Sequence, residues 1–253
     1  MSKDVIVAEQ VGKLFSRQKQ RTLKELLPAF VTGGKQNIRH TFWALQDVNF
    51  RLPEGKSLGI IGPNGSGKST LMKLIAGISD LTTGKISVHG QIAPLIELGA
   101  GFHPELTGRE NIYLNSIILG DSEADVDEKI EEIIDFSEIR EFIDEPVKHY
   151  SSGMYSRLAF AVAIHARFSV LLADEILSVG DAAFRAKCMA RMHEFKDMGK
   201  TIVLVSHSAA QVTEVCELAL YINHGRQVAF GPAAEVTAQY LAEVGLASGP
   251  VKR

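Results

Sequence analysis

The most specific chemical pattern in this sequence is a glycine-rich loop that ends in a lysine and two hydroxyl residues. The loop consists of Gly62, Pro63, Asn64, Gly65, Ser66, Gly67, Lys68, Ser69 and Thr70. It fits the pattern G-x-x-x-x-G-K-[ST], in which glycines let successive backbone N–H groups converge on phosphate oxygens. An apolar run at 57–61 precedes it and a helical pattern at 71–76 follows it, which is the strand–loop–helix setting of a phosphate site. The loop therefore predicts a nucleoside triphosphate site, with an ordinary glycine-rich turn as the alternative.

The side chains at the end of the loop have chemistry suited to a triphosphate. We expect Lys68 to bridge the β- and γ-phosphates and Ser69 to offer its hydroxyl to Mg²⁺. Thr70 lies one residue further along and could contact the α-phosphate.

Two acids and one histidine end later apolar runs. Asp174 closes the run 170–173 and is expected to hold Mg²⁺ opposite Ser69, while Glu175 can polarise the water that attacks the γ-phosphate. His207 follows the run 201–206 and could contact both the γ-phosphate and that water. A histidine at the start of a helix is the alternative for His207.

The elements that must position these residues alternate between apolar strands and helices. This alternation predicts an α/β fold with a mostly parallel sheet and helices on both faces. Ligands of such sheets bind beyond the carboxyl ends of the strands, where the loop, the two acids and His207 would meet one nucleotide. Further strand patterns lie at 5–15, 42–52 and 84–90.

Composition narrows the class of protein. The chain has 253 residues, 45% of them hydrophobic, and a net charge of −3, which argues against a broad nucleic-acid-binding face. No apolar run approaches the roughly 18–20 residues of a membrane span, and the N-terminus does not resemble a secretory signal, so we expect the chain to stay in the cytosol. The two cysteines, Cys188 and Cys216, suggest neither a disulfide framework nor a zinc site.

Three segments interrupt the core pattern. A basic insertion at 16–42 contains an apolar helical stripe; it either covers its own domain or forms a cationic surface for a membrane partner or anionic lipid. The flexible segment 95–104 is a candidate hinge in which Glu97 could reach a metal in one conformation. An acidic helical pattern at 107–142 predicts an inserted helical subdomain over about 104–160.

A second helix N-terminus also suits an anion. Tyr150 precedes a predicted helix that runs to Arg167, and Ser151 with the backbone near Gly153 could bind phosphate there. One nucleotide cannot easily use two such helix ends of one chain. We therefore expect two chains, with the helix end of each closing over the γ-phosphate held by the other.

Taken together, these motifs resemble those of the nucleotide-binding subunits of ABC transporters, over roughly residues 4–232. The resemblance equates 62–70 with the Walker A loop, 170–175 with Walker B and its catalytic glutamate, and 178–181 with the D-loop, which ends at Asp181. It makes His207 the switch histidine and 150–154 the signature, which departs from LSGGQ at three of five positions but retains Ser151 and Gly153. Glu97 stands where the family has the Q-loop glutamine. Phe15 best matches the aromatic residue that stacks on adenine, and Trp43 is the alternative.

Within that family, the chain resembles the ATPase subunits that export lipid-linked polysaccharides such as O-antigen, capsule or teichoic acid. The basic insertion, the segment 97–111 and the D-loop Ser-Val-Gly-Asp carry this resemblance. It implies a P-loop NTPase of the ABC ATPase type, with a mixed sheet core, an N-terminal antiparallel β part and an inserted helical subdomain. The ATPase domain would span 1–232, and a short helix and tail, 233–253, would follow in place of a carbohydrate-binding domain.

The function that this resemblance implies is ATP hydrolysis, with Mg²⁺, by a homodimer at the cytoplasmic face of a membrane. Its partner would be a transmembrane permease of the ABC-2 type that moves a lipid-linked glycan outward, and no nucleic acid would be bound. One alternative is an exporter of another substrate, such as a lipid, drug or peptide. Others are a soluble ABC-type ATPase that does not transport and a nucleotide-binding regulator without turnover.

Overall fold

The computed structural model describes residues 3–17, 40–96, 99–174 and 180–247. The strands in these ranges are β1 (Asp4–Arg17), β2 (His40–Pro53), β3 (Ser57–Ile61), β4 (Thr83–Val88), β5 (Ile92–Leu95), β6 (Val170–Asp174), β7 (Thr201–Val205), β8 (Leu218–Asn223) and β9 (Arg226–Pro232). The helices are α1 (Lys68–Ile75), α2 (Gly108–Ile118), α3 (Glu123–Ser137), α4 (Ser152–His165), α5 (Ala182–Asp197), α6 (Ala209–Val215) and α7 (Ala233–Ala247). None of these helices combines the length and hydropathy needed to cross a bilayer.

The strands of the described ranges form one sheet in the order β4-β1-β2-β9-β8-β3-β7-β6-β5. From β8 to β5 every neighbouring pair is parallel, whereas β1 pairs antiparallel with β2 and β4, and β8 pairs antiparallel with β9. The sheet is therefore mixed, and the predicted α/β fold with an antiparallel N-terminal part is confirmed.

The central strands are buried on both faces because their side chains alternate between two apolar cores. In β3, Leu58 and Ile60 belong to the core that also contains α1 and the β1–β2 pair. Ile61 belongs to the opposite core, which α4, α5 and α6 cover. Ile61 before the phosphate loop and Leu71 after it belong to these two cores, so buried side chains fix both ends of the loop.

The region between β5 and β6 has an apolar core of its own. Helices α2, α3 and α4 bury Ile112, Val126, Ile133 and Leu158 against one another, each with no exposed surface. Capping boxes begin α2 and α3, because the Thr107 and Ser122 side chains each accept from the backbone N–H three residues on. This region holds the start of α4, where the predicted second phosphate site lies.

Several predicted boundaries shift. The strand patterns 5–15 and 42–52 belong to longer strands that extend to Arg17 and begin at His40. The helical pattern 107–142 is broken after Ile118, where Gly120 adopts a φ of 100°. The helix expected to reach Arg167 ends at His165 because Ala166 is extended, with a ψ of 158°. Of the basic insertion, residues 18–39 lie outside the described residues.

Candidate functional site

The carboxyl ends of three parallel strands meet at one edge of the sheet. Val205 of β7 pairs with Ile60 of β3 on one side and with Asp174 of β6 on the other. The Ser206 backbone N–H donates to the Ile60 carbonyl over 3.3 Å. This register brings the loop after β3, the carboxylate that ends β6 and His207 to the same edge, as the sequence predicts.

The glycines of the phosphate loop allow close backbone contacts. A β-carbon at Gly62 would lie 2.0 Å from the Ile222 carbonyl oxygen, and one at Gly67 would lie 2.5 Å from that of Ala44. The φ angle is 109° at Gly67, in the region that favours glycine. Only glycine lets this loop sit against β2 and β8 at these distances.

Lys68 places its ammonium group inside the loop. The residue is 5% exposed, and its Nζ donates to the Gly62 carbonyl over 2.8 Å and the Pro63 carbonyl over 3.0 Å. These bonds hold a buried positive charge at the start of α1, where the helix dipole is also positive. The arrangement concentrates positive potential at the point where phosphate is predicted.

The loop also fits a phosphate group on independent grounds. The buried Ser66 Oγ has no hydrogen-bond partner within the described chain. Gly67 is the N-cap of α1, and no side chain of the described residues caps that helix. Backbone N–H groups at an uncapped helix start are a favourable environment for anionic oxygens.

A cleft of about 560 Å³ opens over the loop. Its lining residues are Phe15, Phe42, Trp43, Ala44, Asn64, Gly65, Gly67, Lys68, Ser69, Thr70, His207, His224 and Gly225. The cleft joins the loop to a group of aromatic side chains. One end therefore suits a charged phosphate tail, and the other suits a flat ring system.

The aromatic end of the cleft comes from paired positions of β1 and β2. Phe15 pairs with Phe42 in register, and their rings stack at 5.7 Å with an interplanar angle of 28°. Trp43 lies beside them, and all three rings are well exposed, at 38%, 50% and 40%. Both predicted candidates for base stacking, Phe15 and Trp43, thus line the cleft. Phe42 was missed, because only the register of β1 with β2 places it opposite Phe15.

A second cleft of about 580 Å³ lies at the start of α4. Ser151, Gly153 and Asp181 line it, and it shares no lining residue with the first cleft. Ser151 is the N-cap of α4, and its Oγ accepts from the Met154 N–H over 3.2 Å. The structure therefore groups these three predicted residues together but apart from the phosphate loop of the same chain.

Asp181 has a defined structural position at this second cleft. It is the N-cap of α5, where Oδ1 accepts from the Phe184 N–H over 2.9 Å, and Oδ2 accepts from Arg157 over 2.8 Å. The backbone bond from Phe184, with the nearby Arg157 charge, lowers the pKa of Asp181. Arg157, which lies 4.9 Å from the Phe184 ring centroid, was not singled out from the sequence.

Comparison with known proteins identifies the family. Residues 45–178, more than half of the chain, match the family described as "ABC transporter". The chain belongs to the ABC transporter family.

Curated relatives of this ABC transporter chain carry export names. It is 49% identical over 251 residues to the O-antigen export system ATP-binding protein RfbB of Myxococcus xanthus, covering 97% of this chain and 57% of that protein. A Klebsiella pneumoniae protein of the same name is 44% identical, with 79% of this chain and 81% of that one covered. The teichoic acids export ATP-binding protein TagH of Enterococcus faecalis is also 44% identical, over 87% of this chain and 48% of that one. The chain thus spans only about half the length of some of the relatives it matches.

Solved structures confirm the ABC fold. A dimeric ATP-binding cassette in a post-hydrolysis state, bound to ADP and Pi, superposes with a TM-score of 0.71 at 22% identity, covering 90% of this chain and 98% of that one. An ATP-binding subunit of an ABC transporter gives a TM-score of 0.75 at 22% identity, covering 96% and 98%. At this identity the likeness establishes the fold.

Two predicted residues of this ABC transporter chain, Glu97 and Glu175, lie outside the described residues. Their roles as metal ligand and general base stay predictions. Asp174 ends β6 in the expected place and is partly buried, and Ser69 is exposed at the start of α1.

Proposed function

We propose that this chain is the ATP-binding and ATP-hydrolysing subunit of an ABC transporter that exports a lipid-linked polysaccharide across the cytoplasmic membrane. The observation that carries the ATPase assignment is the cleft in which Lys68, Ser69 and His207 line one cavity with an aromatic end. The substrate class rests on the O-antigen and teichoic acid export names of the relatives. An exporter of another lipid, drug or peptide is the second candidate.

The residues of the cleft divide the work on ATP between them. Lys68 and the loop N–H groups bind the phosphates, and the aromatic end takes the adenine ring. Ser69 and Asp174 would hold Mg²⁺, which when bound neutralises charge on the β- and γ-phosphate oxygens. Glu175 would accept the proton of the attacking water at its carboxylate, and His207 would contact the γ-phosphate.

Catalysis in this proposal requires two copies of the chain. Ser151 and Gly153 lie on a cleft separate from the phosphate loop, so they would act on ATP held by a partner copy. The N-terminus of α4 would then add its partial positive charge to the γ-phosphate from the opposite side. The dimeric state of the structurally similar cassette supports this arrangement.

We further propose that the dimer binds a separate transmembrane permease of the ABC-2 type from the cytoplasmic side. The names of the relatives, which describe export-system ATP-binding proteins, support such a complex. ATP would hold the two ATPase copies together and hydrolysis would release them, which gives the permease two alternating states.

Hydrolysis is tested by the substitution Glu175→Gln in the purified chain. Loss of a general base lowers turnover by about 10²–10⁴-fold, and we expect this loss with ATP binding retained. The control is Glu128→Gln on the exposed face of α3, which should turn over ATP normally. Near-normal hydrolysis by Glu175→Gln would contradict its assignment as the base.

The export assignment is tested by affinity purification of the chain from detergent-solubilised membranes of its own cells. A polytopic membrane protein recovered in near-equal amount, encoded beside glycan-synthesis enzymes, is the expected result. Recovery only from the soluble fraction with ribosomal or DNA-associated proteins would leave the ATPase chemistry standing and overturn the transport assignment.

A further inference from the structure

The tight turn between β8 and β9 forms one wall of the nucleotide cleft. Asn223 pairs with Arg226, which leaves His224 and Gly225 as a two-residue turn. Their φ angles are 46° and 75°, as in a type I′ hairpin, whose preferred sequences are Asn-Gly, Asp-Gly and Gly-Gly. Histidine tolerates this backbone region, but the turn itself would be better served by asparagine or glycine.

Backbone contacts fix this turn against the phosphate loop on one side and β2 on the other. The Gly225 N–H donates to the Ser66 carbonyl over 2.9 Å, and the Gly225 carbonyl accepts from the Gln46 N–H over 2.7 Å. A β-carbon on Gly225 would lie 2.7 Å from the Ala44 carbonyl oxygen. The turn therefore has a fixed position relative to the phosphate loop and to β2.

These contacts locate His224 along the cleft. Ser66 belongs to the phosphate loop, and Ala44 directly follows Trp43 at the aromatic end. The turn joins the two ends, so it borders the stretch between the adenine and the β- and γ-phosphates. The His224 side chain is exposed and lines the cleft, and an imidazole N–H is a donor suited to sugar hydroxyl or phosphate oxygens.

We propose that His224 is a further nucleotide-binding residue, which donates a hydrogen bond to an oxygen of the ribose or α-phosphate. The inference rests on the proposed ATPase function and deepens it. His224 positions the nucleotide through binding and takes no part in the hydrolytic step. It differs in this respect from His207, which follows β7 at the opposite side of the loop.

The turn geometry makes the test selective. His224→Gly removes the side chain and His224→Asn shortens it, and both residues suit a positive φ, so neither variant should lose stability. The probe is Mg·ADP, with its Kd measured by isothermal titration calorimetry on the whole chain. The control is His89→Asn, an exposed histidine beyond the end of β4 that does not line the cleft.

We expect the Kd for Mg·ADP to rise about fivefold in His224→Gly, the effect of one ordinary hydrogen bond, and no more than that in His224→Asn. The KM for ATP should rise with kcat nearly unchanged, and the unfolding temperature should stay level or increase. A Kd within twofold of the wild-type value in both variants would overturn the inference, as would weaker binding accompanied by a lower unfolding temperature. If the wild-type chain and His89→Asn also failed to bind Mg·ADP, the proposed ATPase function itself would be refuted.

Discussion

The close approach of α6 to β3 leads to a sharp prediction about Gly59. A β-carbon at Gly59 would lie 2.3 Å from Val212 Cγ1, 3.1 Å from Cγ2 and 3.2 Å from Cβ. Carbon atoms in ordinary contact are about 3.5–4.0 Å apart, so the added methyl group would overlap Cγ1 by more than about 1 Å. Val212 is fully buried, so the overlap can be relieved only if α6 moves away from the sheet.

That movement would reach the nucleotide cleft. His207 and Ser208 directly precede α6, and Ser208 is its N-cap. The Ser206 hydroxyl also donates to Gln211 Oε1 over 2.6 Å, so the helix and the strand end are joined. We expect Gly59→Ala to lower the free energy of unfolding by about 1–3 kcal/mol through overpacking, and to reduce ATP turnover because His207 is displaced.

A second substitution should rescue the first. Val212→Ala removes both γ-carbons and by itself should cost about 2 kcal/mol in lost burial and cavity formation. In the double variant the methyl group at position 59 enters that space. The stability loss of the double variant should therefore be smaller than the sum of the two single losses by at least about 1 kcal/mol. The control is Gly231→Ala, whose β-carbon would lie 3.9 Å from Val236 Cγ2, an ordinary contact.

The assays are urea unfolding and steady-state ATP hydrolysis of the wild type and the four variants. Partial recovery of both stability and turnover in the double variant is the expected result. Strictly additive losses in stability, or a Gly59→Ala chain with normal stability and turnover, would refute the reasoning from this contact.

Two further predictions concern side chains that tie loops to the core. Asn111→Ala should cost about 1–3 kcal/mol of unfolding free energy, because the fully buried amide accepts from the His103 N–H, which would be left without this acceptor. The amide also donates to the carbonyls of His103, Leu106 and Thr107, each of which keeps a backbone N–H donor. Urea unfolding beside Asn115→Ala as a reference measures the cost, and an equal or smaller loss for Asn111→Ala would contradict the prediction. Burial would raise the pKa of Glu217, but the Ser57 hydroxyl and N–H donate to its carboxylate and lower the pKa below its ordinary value. The carboxylate therefore stabilises the fold fully above the ordinary glutamate pKa. This stabilisation is lost as the pH falls through the lowered pKa. Glu217→Gln should therefore flatten the acid side of the stability curve as the pH falls below the ordinary pKa of a glutamate. Thermal unfolding at each pH measures this, and an acid limb as steep as in the wild type would refute the prediction.

The phosphate loop was predictable because all of its determinants are local. Nine consecutive residues from Gly62 to Thr70 specify the turn, the lysine and the start of α1 without reference to the rest of the chain. The strand ends were predictable for a related reason. Buried parallel strands are continuous apolar runs, so Asp174 and His207 mark the places where those runs stop. Since every such strand ends at the same edge, their meeting followed from the fold class.

Other parts of the cleft depend on contacts between distant segments. Phe42 joins Phe15 only because β1 and β2 pair in that register. His224 reaches the cleft because the Gly225 turn bonds to Ser66, more than 150 residues earlier in the chain. No spacing rule in the sequence connects such positions, and each lies in a segment whose local pattern indicates only a strand or a turn.

By itself, the sequence determined the chemistry of the phosphate loop, the α/β class and the family, because these depend on short motifs and on the periodicity of apolar residues. The tertiary structure alone decided which aromatic rings meet, that a turn histidine borders the loop, and that Ser151 and Asp181 share a cleft separate from Lys68. The physical reason is that strand register and helix packing are set by the whole buried core, in which each contact is cooperative with all the others.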